Sequence, residues 1–356
     1  MKTGKIIIVG QGVSGTLFSW FCAQHHLDFI VINDVAANSP SKTAAGLINP
    51  VTGRRVVTVW MDDTILPFAE KTYGDMGRIL AIEAISKMNI VDFFPNPFMK
   101  ESFLKKMSQQ APYISLAKDE QYLSEYFNYE FGTGIIEPAY IVHLQQLLPA
   151  WRQYLQREDK FIDEAFDFAQ LRVSDTVVQY GNILADTIVF CDGVAGSENP
   201  YFNLLPFALN KGEAIIIEAP DLPAGHIYKK SMTLAPFGEA GIFWAGTNYI
   251  WEYDDEHPTE AFRKSTEQNL NSWLKVPYKI IDHKAAVRPA TVERRPFVGL
   301  HPVYKNVGIL NGMGTKGCSL APYFASQLVQ HIVHQHPIEK EADLARHTRI
   351  LSRSQV

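Results

Sequence analysis

Apolar residues cluster at Lys5–Val9 and again at Asp28–Asn33. Between them lie the polar, glycine-rich GQGVSG at 10–15 and a helically spaced apolar stretch from Thr16 to His25. That order predicts strand, turn, helix and strand, a βαβ unit. Helical spacing returns around Met61–Tyr73, over Ala139–Gln156 with Ile141, Leu144, Leu147 and Leu148 on one face, and in a polar stretch at about 259–274. Strand patterns fall at 170–180, 187–190, 214–218, 231–236 and 241–247. Residues 88–134, which contain PNPF and YEFGTG, read as strands and loops of a different lobe. The segment 307–332, VGILNGMGTKGCSLAPYFASQLVQHI, is strand, glycine-rich loop and helix; the helix runs from about Ser319 to Val333 with Pro322 in its first turn. No internal repeat is evident.

Within the first unit the glycines have separate tasks. Gly10 permits a tight turn, Gly12 lets the backbone approach a pyrophosphate, and Gly15 allows the helix to pack closely, while the helix N-terminus offers free N–H groups. This predicts dinucleotide binding, with Val13 and Ser14 in the same turn. At the end of the second strand, where an acid usually takes the ribose hydroxyls, the position falls on Asn33, with Asp34 next to it. Either residue can accept a hydrogen bond from the ribose. Strand-loop-helix elements of nucleotide type thus occur at the start, middle and end of the chain, so it must leave and re-enter its nucleotide lobe. A nicotinamide dehydrogenase usually carries its binding unit as one block. CDGVAG at 191–196 lacks the spacing and helix of a second fingerprint.

Composition narrows the function classes. The chain has 356 residues, enough for two lobes, with 46% hydrophobic and 20% charged residues, which excludes disorder. No run of 18 apolar residues suggests a membrane span. The N-terminal apolar run is broken by Gly10, Gln11 and Gly12 without a cleavage site, so a strand and a cytoplasmic protein are expected. Cys22, Cys191 and Cys318 are far apart and odd in number, which points to reduced thiols and to no metal site. Net charge is -5 and the basic pairs are scattered, which argues against nucleic acid as a partner. Oligomeric state is not encoded in these features.

Seven segments in order resemble the FAD-dependent amine and D-amino-acid oxidase family, which includes glycine oxidase and sarcosine oxidase. They are GQGVSG, KTAAGLINP (42–50), GIIEPAYI (134–141), ADTIVFCDG (185–193), NKGEAIII (210–217) and VRPATVERRPFVG (287–299) followed by GMGTKGCSLAP (312–322). The resemblance implies an α/β protein with a discontinuous FAD-binding Rossmann-type lobe (1–85 with 138–215 and 285–356) and an inserted β-rich, α+β substrate lobe (86–137 with 216–284). It implies non-covalent FAD and an oxidoreductase that oxidises the C–N bond of a small amino acid or secondary amine by hydride transfer to flavin N5. Thr43, Ala44, Ala45, Gly46 and Leu47 would line the flavin, Gly193 would serve the pyrophosphate side, and Gly312, Met313, Gly314, Thr315, Lys316 and Gly317 would form the loop at the flavin's pyrimidine edge. In that position a helix N-terminus and Lys316 would favour negative charge; a C-cap loop with a surface lysine is the alternative.

In the amino-acid-oxidising members an arginine immediately before this proline pairs with the substrate carboxylate, and Arg288 occupies that position. A planar guanidinium matches a carboxylate with two parallel hydrogen bonds. The competing reading is a structural salt bridge to Glu293 or Asp282. Where the glycine-oxidising members have a second arginine and a tyrosine, this chain has Thr315 and Thr233, so glycine is a doubtful substrate. Trp244, Tyr249, Trp251 and Tyr253 either roof the flavin or pack the sheet, and His283 is either an acid–base group or a satisfied strand-end histidine. GMGTKGCSLAP also resembles the loop of a tRNA-modifying oxidase that acts on a carboxymethylaminomethyl-type nucleoside, although the acidic charge balance opposes that reading. A 2-hydroxy-acid dehydrogenase would use the same arginine. A flavoprotein with purely structural FAD is a further class. The expected partner is a small molecule carrying a carboxylate.

Overall fold

The computed structural model describes residues 5–53, 55–117 and 121–353. The chain divides into two compact units, residues 1–42, 147–210 and 287–356, and residues 43–146 and 211–286.

The first unit is built on a six-stranded sheet with the order Phe297–Leu300, Val307–Asn311, Thr187–Phe190, Ile6–Val9, Phe29–Ile32, Phe161–Ile162. Its strands are parallel except Phe297–Leu300, which runs antiparallel to Val307–Asn311. Ile6–Val9 is buried at every position, as a central parallel strand covered on both faces must be, which explains why its sequence is a plain apolar run with no alternation. Helices Val13–Gln24 and Gly317–His334 pack against each other. Ile7, Val9, Ile30, Ile32, Ile188 and Phe190 anchor the main core cluster on this sheet.

The second unit holds a mainly antiparallel sheet with the order Lys279–Arg288, Asn210–Glu218, Ile242–Gly246, Thr233–Pro236, Ile227–Lys229, Ile85–Phe93, Thr133–Val142, Leu47–Ile48, and Ile114–Leu116 added to Thr133–Val142. Both faces are buried, with the alternation that a strand's period of two demands. Ile215, Ile217, Phe243 and Ala245 enter one cluster, while Ala214, Ile216 and Trp244 enter the other. Residues 43–85 and 138–146 lie in this unit, where Leu47 and Ile48 pair with Ile141 and Tyr140. The mixed α/β class with parallel and antiparallel sheets agrees with expectation. Among the described residues, no helix is long and apolar enough to cross a membrane.

Two elements differ from the sequence reading. Residues Ala139–Val142 belong to the strand Thr133–Val142, and the helix begins only at Leu144 and ends at Arg157. Pairing with Ile85–Phe93 supplies the backbone partners of 139–142, so tertiary context overrides the helical spacing of Ile141. The stretch 88–134 contains a helix, Pro97–Ser108, begun by the PNPF that reads as a turn. Asn96 accepts a hydrogen bond from Met99 N–H at 2.9 Å and Pro97 takes the first helical position, where its missing N–H costs nothing.

Candidate functional site

In the first unit, Gly10 follows the strand Ile6–Val9 with φ +95°, and a Cβ there would lie 2.5 Å from the Cys191 carbonyl oxygen. Gly15, inside the first turn of Val13–Gln24, is more confined: its Cβ would overlap the Gly10 oxygen at 1.9 Å. The tight turn and close helix packing expected of these two glycines are therefore both present. Gly12 precedes the helix without a side-chain cap. Ser41 closes the turn by accepting a hydrogen bond from Val13 N–H at 3.0 Å, a residue 28 positions away that no local signal identifies.

Asn33 turns its side chain towards the same loop, where Oδ1 accepts from Gln11 N–H at 2.8 Å. Asp34 sits at the surface, its Oδ1 accepting from Ala36 and Ala37 N–H at 2.8 and 3.2 Å. Each residue thus has a local backbone partner, Asn33 holding the glycine loop and Asp34 holding a turn. Lys42 binds the same turn through the Val35 and Ala37 carbonyls. Burial and the nearby Arg152 charge lower its pKa.

Two further glycine-bearing segments of this unit are joined to each other. Gly193 has φ +59° and an open Cβ position, so its backbone angle alone calls for glycine. Asn311 donates from Nδ2 to the Gly193 carbonyl at 2.8 Å and to Asp192 at 2.9 Å, and its Oδ1 accepts from Gly312 N–H at 2.7 Å. Asp192 also accepts from Asn199 at 3.0 Å, and burial pushes its carboxyl up to about 6 despite these donors. The loop continues as a single turn, Gly314–Lys316, then the helix Gly317–His334, which like the first has no side-chain cap. A Cβ on Gly317 would lie 3.0 Å from Val13 Cγ1, so the two helix N-termini are neighbours. Confined glycines at 10 and 15 and two helix N-termini whose N-cap residues supply no side-chain acceptor fit an extended anionic dinucleotide.

Arg288 ends the strand Lys279–Arg288, and the segment after it is tied to this loop: Gly314 N–H donates to the Pro289 carbonyl at 3.1 Å, and a Cβ on Gly312 would meet Thr291 Cγ2 at 2.6 Å. Its guanidinium Nη1 donates to Asn210 Oδ1 at 2.8 Å. The two acids proposed as structural partners have other cations: Glu293 pairs with Arg346 at 3.3 Å and Asp282 with Lys284 at 2.8 Å. Arg295 pairs with Glu341 at 2.7 Å, while Arg294 N–H closes a turn on Thr291. Thr315 is exposed; Lys316 is half-buried, and burial followed by the Arg295 and Arg294 charges lowers its pKa. Met313 and Cys318 are buried, the thiol pushed up to about 12 by burial.

In the second unit the small-residue segment lies against Thr133–Val142. Gly46, at φ +76°, would place a Cβ 1.9 Å from the Val142 oxygen, and Val142 N–H donates to Gly46 O at 2.9 Å. Trp244 is a packing residue, its Nε1 donating to the Thr43 carbonyl at 2.9 Å, and Gln145 holds the Ala44 carbonyl at 3.2 Å. Ala45 is buried and Leu47 is partly so. Tyr249 and Trp251 are exposed, unlike Trp244. His283 Nε2 sits 3.1 Å from the buried carboxylate of Glu213; burial lowers the imidazole's pKa, while the carboxylate pulls it the other way.

The profile of the DAO family, FAD dependent oxidoreductase, matches residues 5–331. Solved structures with the same fold include glycine oxidase from Bacillus cereus ATCC 14579, at 16% identity, TM-score 0.78, and coverage of 94% of this chain and 96% of that one. Iminodiacetate oxidase from Chelativorans sp. BNC1 is 15% identical with TM-score 0.76, covering 95% and 98%. L-Proline dehydrogenase from P. horikoshii is 12% identical with TM-score 0.76, covering 97% and 98%.

Proposed function

The chain belongs to the DAO family of FAD-dependent oxidoreductases, and on that premise we propose that it oxidises the C–N bond of a small amino acid or secondary amine that carries a carboxylate. The observation that carries this reading is the position of Arg288, at a strand end whose following turn is hydrogen-bonded to the glycine loop through Gly314 N–H and the Pro289 carbonyl at 3.1 Å. FAD would be held by Gly10, Gly12, Val13, Ser14 and Gly15 with the helix N-terminus behind them, by Gly193, and by the Gly312–Gly317 loop. Asn33 would act by fixing Gln11 in the loop, and Asp34 by shaping the turn beside it.

When bound, FAD supplies a two-electron acceptor for the hydrogen leaving the substrate α-carbon. The remaining tasks fall to the chain. Arg288 would anchor the substrate carboxylate through paired, charge-assisted hydrogen bonds worth about 1.5–3 kcal/mol each. A substrate held at its acid end has its α-carbon in a fixed place, which converts an encounter into a unimolecular step. Lys316 and the uncapped amides at Gly317 would favour negative charge on their side of the site, with the exposed Thr315 hydroxyl in the same turn.

The test is anaerobic mixing of the purified holoprotein with panels of amino acids, N-methyl amino acids and 2-hydroxy acids while following loss of the flavin colour. A carboxylate-bearing amine is expected to bleach it. Arg288→Ala should raise the required concentration at least about tenfold, equivalent to about 1.4 kcal/mol. An unchanged concentration dependence removes Arg288 from the site, and bleaching by hydroxy acids alone transfers the assignment to alcohol oxidation.

A further inference from the structure

We propose that Asn210 is the positioning residue that aims Arg288, and that its being an amide rather than an acid makes the site selective for anionic ligands. This inference rests on the reading of Arg288 as the carboxylate anchor. Asn210 opens the strand Asn210–Glu218 and is 3% exposed; Arg288 closes the neighbouring strand, Lys279–Arg288. The two side chains, 78 positions apart in sequence, meet through Nη1 and Oδ1 at 2.8 Å. The amide is itself oriented, because its Nδ2 points to the Ala208 carbonyl at 3.5 Å, leaving the oxygen for the guanidinium. The backbones of both segments are joined alongside, with Ala208 N–H donating to the Ala290 carbonyl at 2.7 Å and Ala290 N–H to the Arg288 carbonyl at 2.9 Å.

A guanidinium is a rigid fork of five N–H donors, so one well-placed acceptor fixes the plane of all of them. A carboxylate at this position would do the same mechanically, but it would set a full negative charge against the cation in a part-buried setting and weaken its pull on any other anion. Asparagine separates these effects. It restrains the fork and leaves the cation's charge uncancelled by this partner. Aspartate differs from asparagine by little in shape and by one charge, so the pair of residues isolates the electrostatic component.

The experiment is calorimetric titration of the holoprotein with two pairs of probes of matched shape, benzoate with benzamide and propionate with propionamide. The proteins compared are wild type, Arg288→Ala, Asn210→Asp and Asn210→Ala. In Asn210→Asp the carboxylate dissociation constants should rise at least about tenfold while those of the amides stay within about twofold, because only the anions meet the cancelled charge. Asn210→Ala should weaken the carboxylates about three- to tenfold through loss of orientation, the scale of one ordinary net hydrogen bond. A structural role alone would shift acids and amides together. If wild type binds neither carboxylate, or Arg288→Ala leaves their binding unchanged, the anchor reading itself fails. If Arg288→Ala weakens the acids and Asn210→Asp does not, only the present inference is overturned. Should Asn210→Asp fail to fold by thermal melting, Asn210→Ala decides: unchanged carboxylate binding overturns the proposal.

Discussion

Replacing His301 by asparagine should flatten the acid limb of the stability profile, and the structure sets the size of the effect. His301 is fully buried, between Phe202 and Tyr304, with ring centroids 5.8 and 5.0 Å away. Its Nδ1 accepts hydrogen bonds from Val303 and Tyr304 N–H, both at 3.1 Å, so the proton of the neutral ring is on Nε2. Protonating Nδ1 would turn an acceptor into a donor facing two donors. Burial, with a smaller push from Lys305, lowers the pKa from 6.5 to about 4. As the pH falls through this window the unfolded chain takes a proton that the native state refuses, so acidification favours unfolding. The loss is about 3 kcal/mol by about pH 4 and tends to about 3.4 kcal/mol below it, at about 1.36 kcal/mol per pH unit between the two pKa values.

Asparagine keeps an acceptor oxygen near the Nδ1 position and cannot titrate, but it leaves part of the ring's space empty, so the variant should be less stable by about 1–3 kcal/mol at neutral pH. Asp192 works in the opposite direction, since its native pKa is raised from 3.8 to about 6 and it stabilises the fold as the pH drops. The informative quantity is therefore the difference between the two proteins, which keeps Asp192 common to both. Differential scanning calorimetry in steps from about pH 7.5 to about pH 4 should show the gap in melting temperature closing in favour of the variant by about 4 °C, taking about 1.3 °C per kcal/mol for a chain of this length. Parallel curves across the whole range would refute the assignment of His301 as a buried neutral acceptor.

Gly15→Ala should abolish flavin retention, because its Cβ would sit 1.9 Å from the Gly10 oxygen and drive the helix away from the loop. The expected cost is about 1–3 kcal/mol, and a variant that purifies with its yellow flavin absorption at full strength contradicts it. Glu213→Gln should lower the melting temperature without touching the glycine loops. The buried carboxylate accepts from Thr259 N–H at 2.6 Å, Thr259 Oγ1 at 2.8 Å and Asn248 Nδ2 at 3.2 Å, and an amide nitrogen in place of one oxygen meets a donor with a donor. That mismatch costs about 1–3 kcal/mol; an unchanged melting temperature would show that the network tolerates it.

Much of the nucleotide-binding part was legible because its signals are local. Gly10, Gly12 and Gly15 stand at a fixed spacing after an apolar run, and the strand, turn and helix they predict are those observed at Ile6–Val9 and Val13–Gln24. The helix at the other end of the chain follows from Leu320, Phe324, Leu328 and Ile332 standing four apart, and it runs from Gly317 to His334. Where the signal was ambiguous, context decided. Ile141 fits a helix by spacing and a strand by its β-branched neighbours, and the choice was made by the strand Ile85–Phe93 lying alongside.

Amino-acid order alone determined the class of protein, the turn chemistry of the glycine loops and the position of an arginine before a proline, since each depends on residues within a few places of one another. Side-chain partners did not follow from it. Ser41 on Val13, Asn33 on Gln11, Asn311 on Gly193 and Asn210 on Arg288 are contacts between residues 22 to 118 positions apart. Such pairs exist only after the chain has folded, because a hydrogen bond needs donor and acceptor within about 3 Å, and nothing in the local pattern of a buried asparagine says which distant group its oxygen will face.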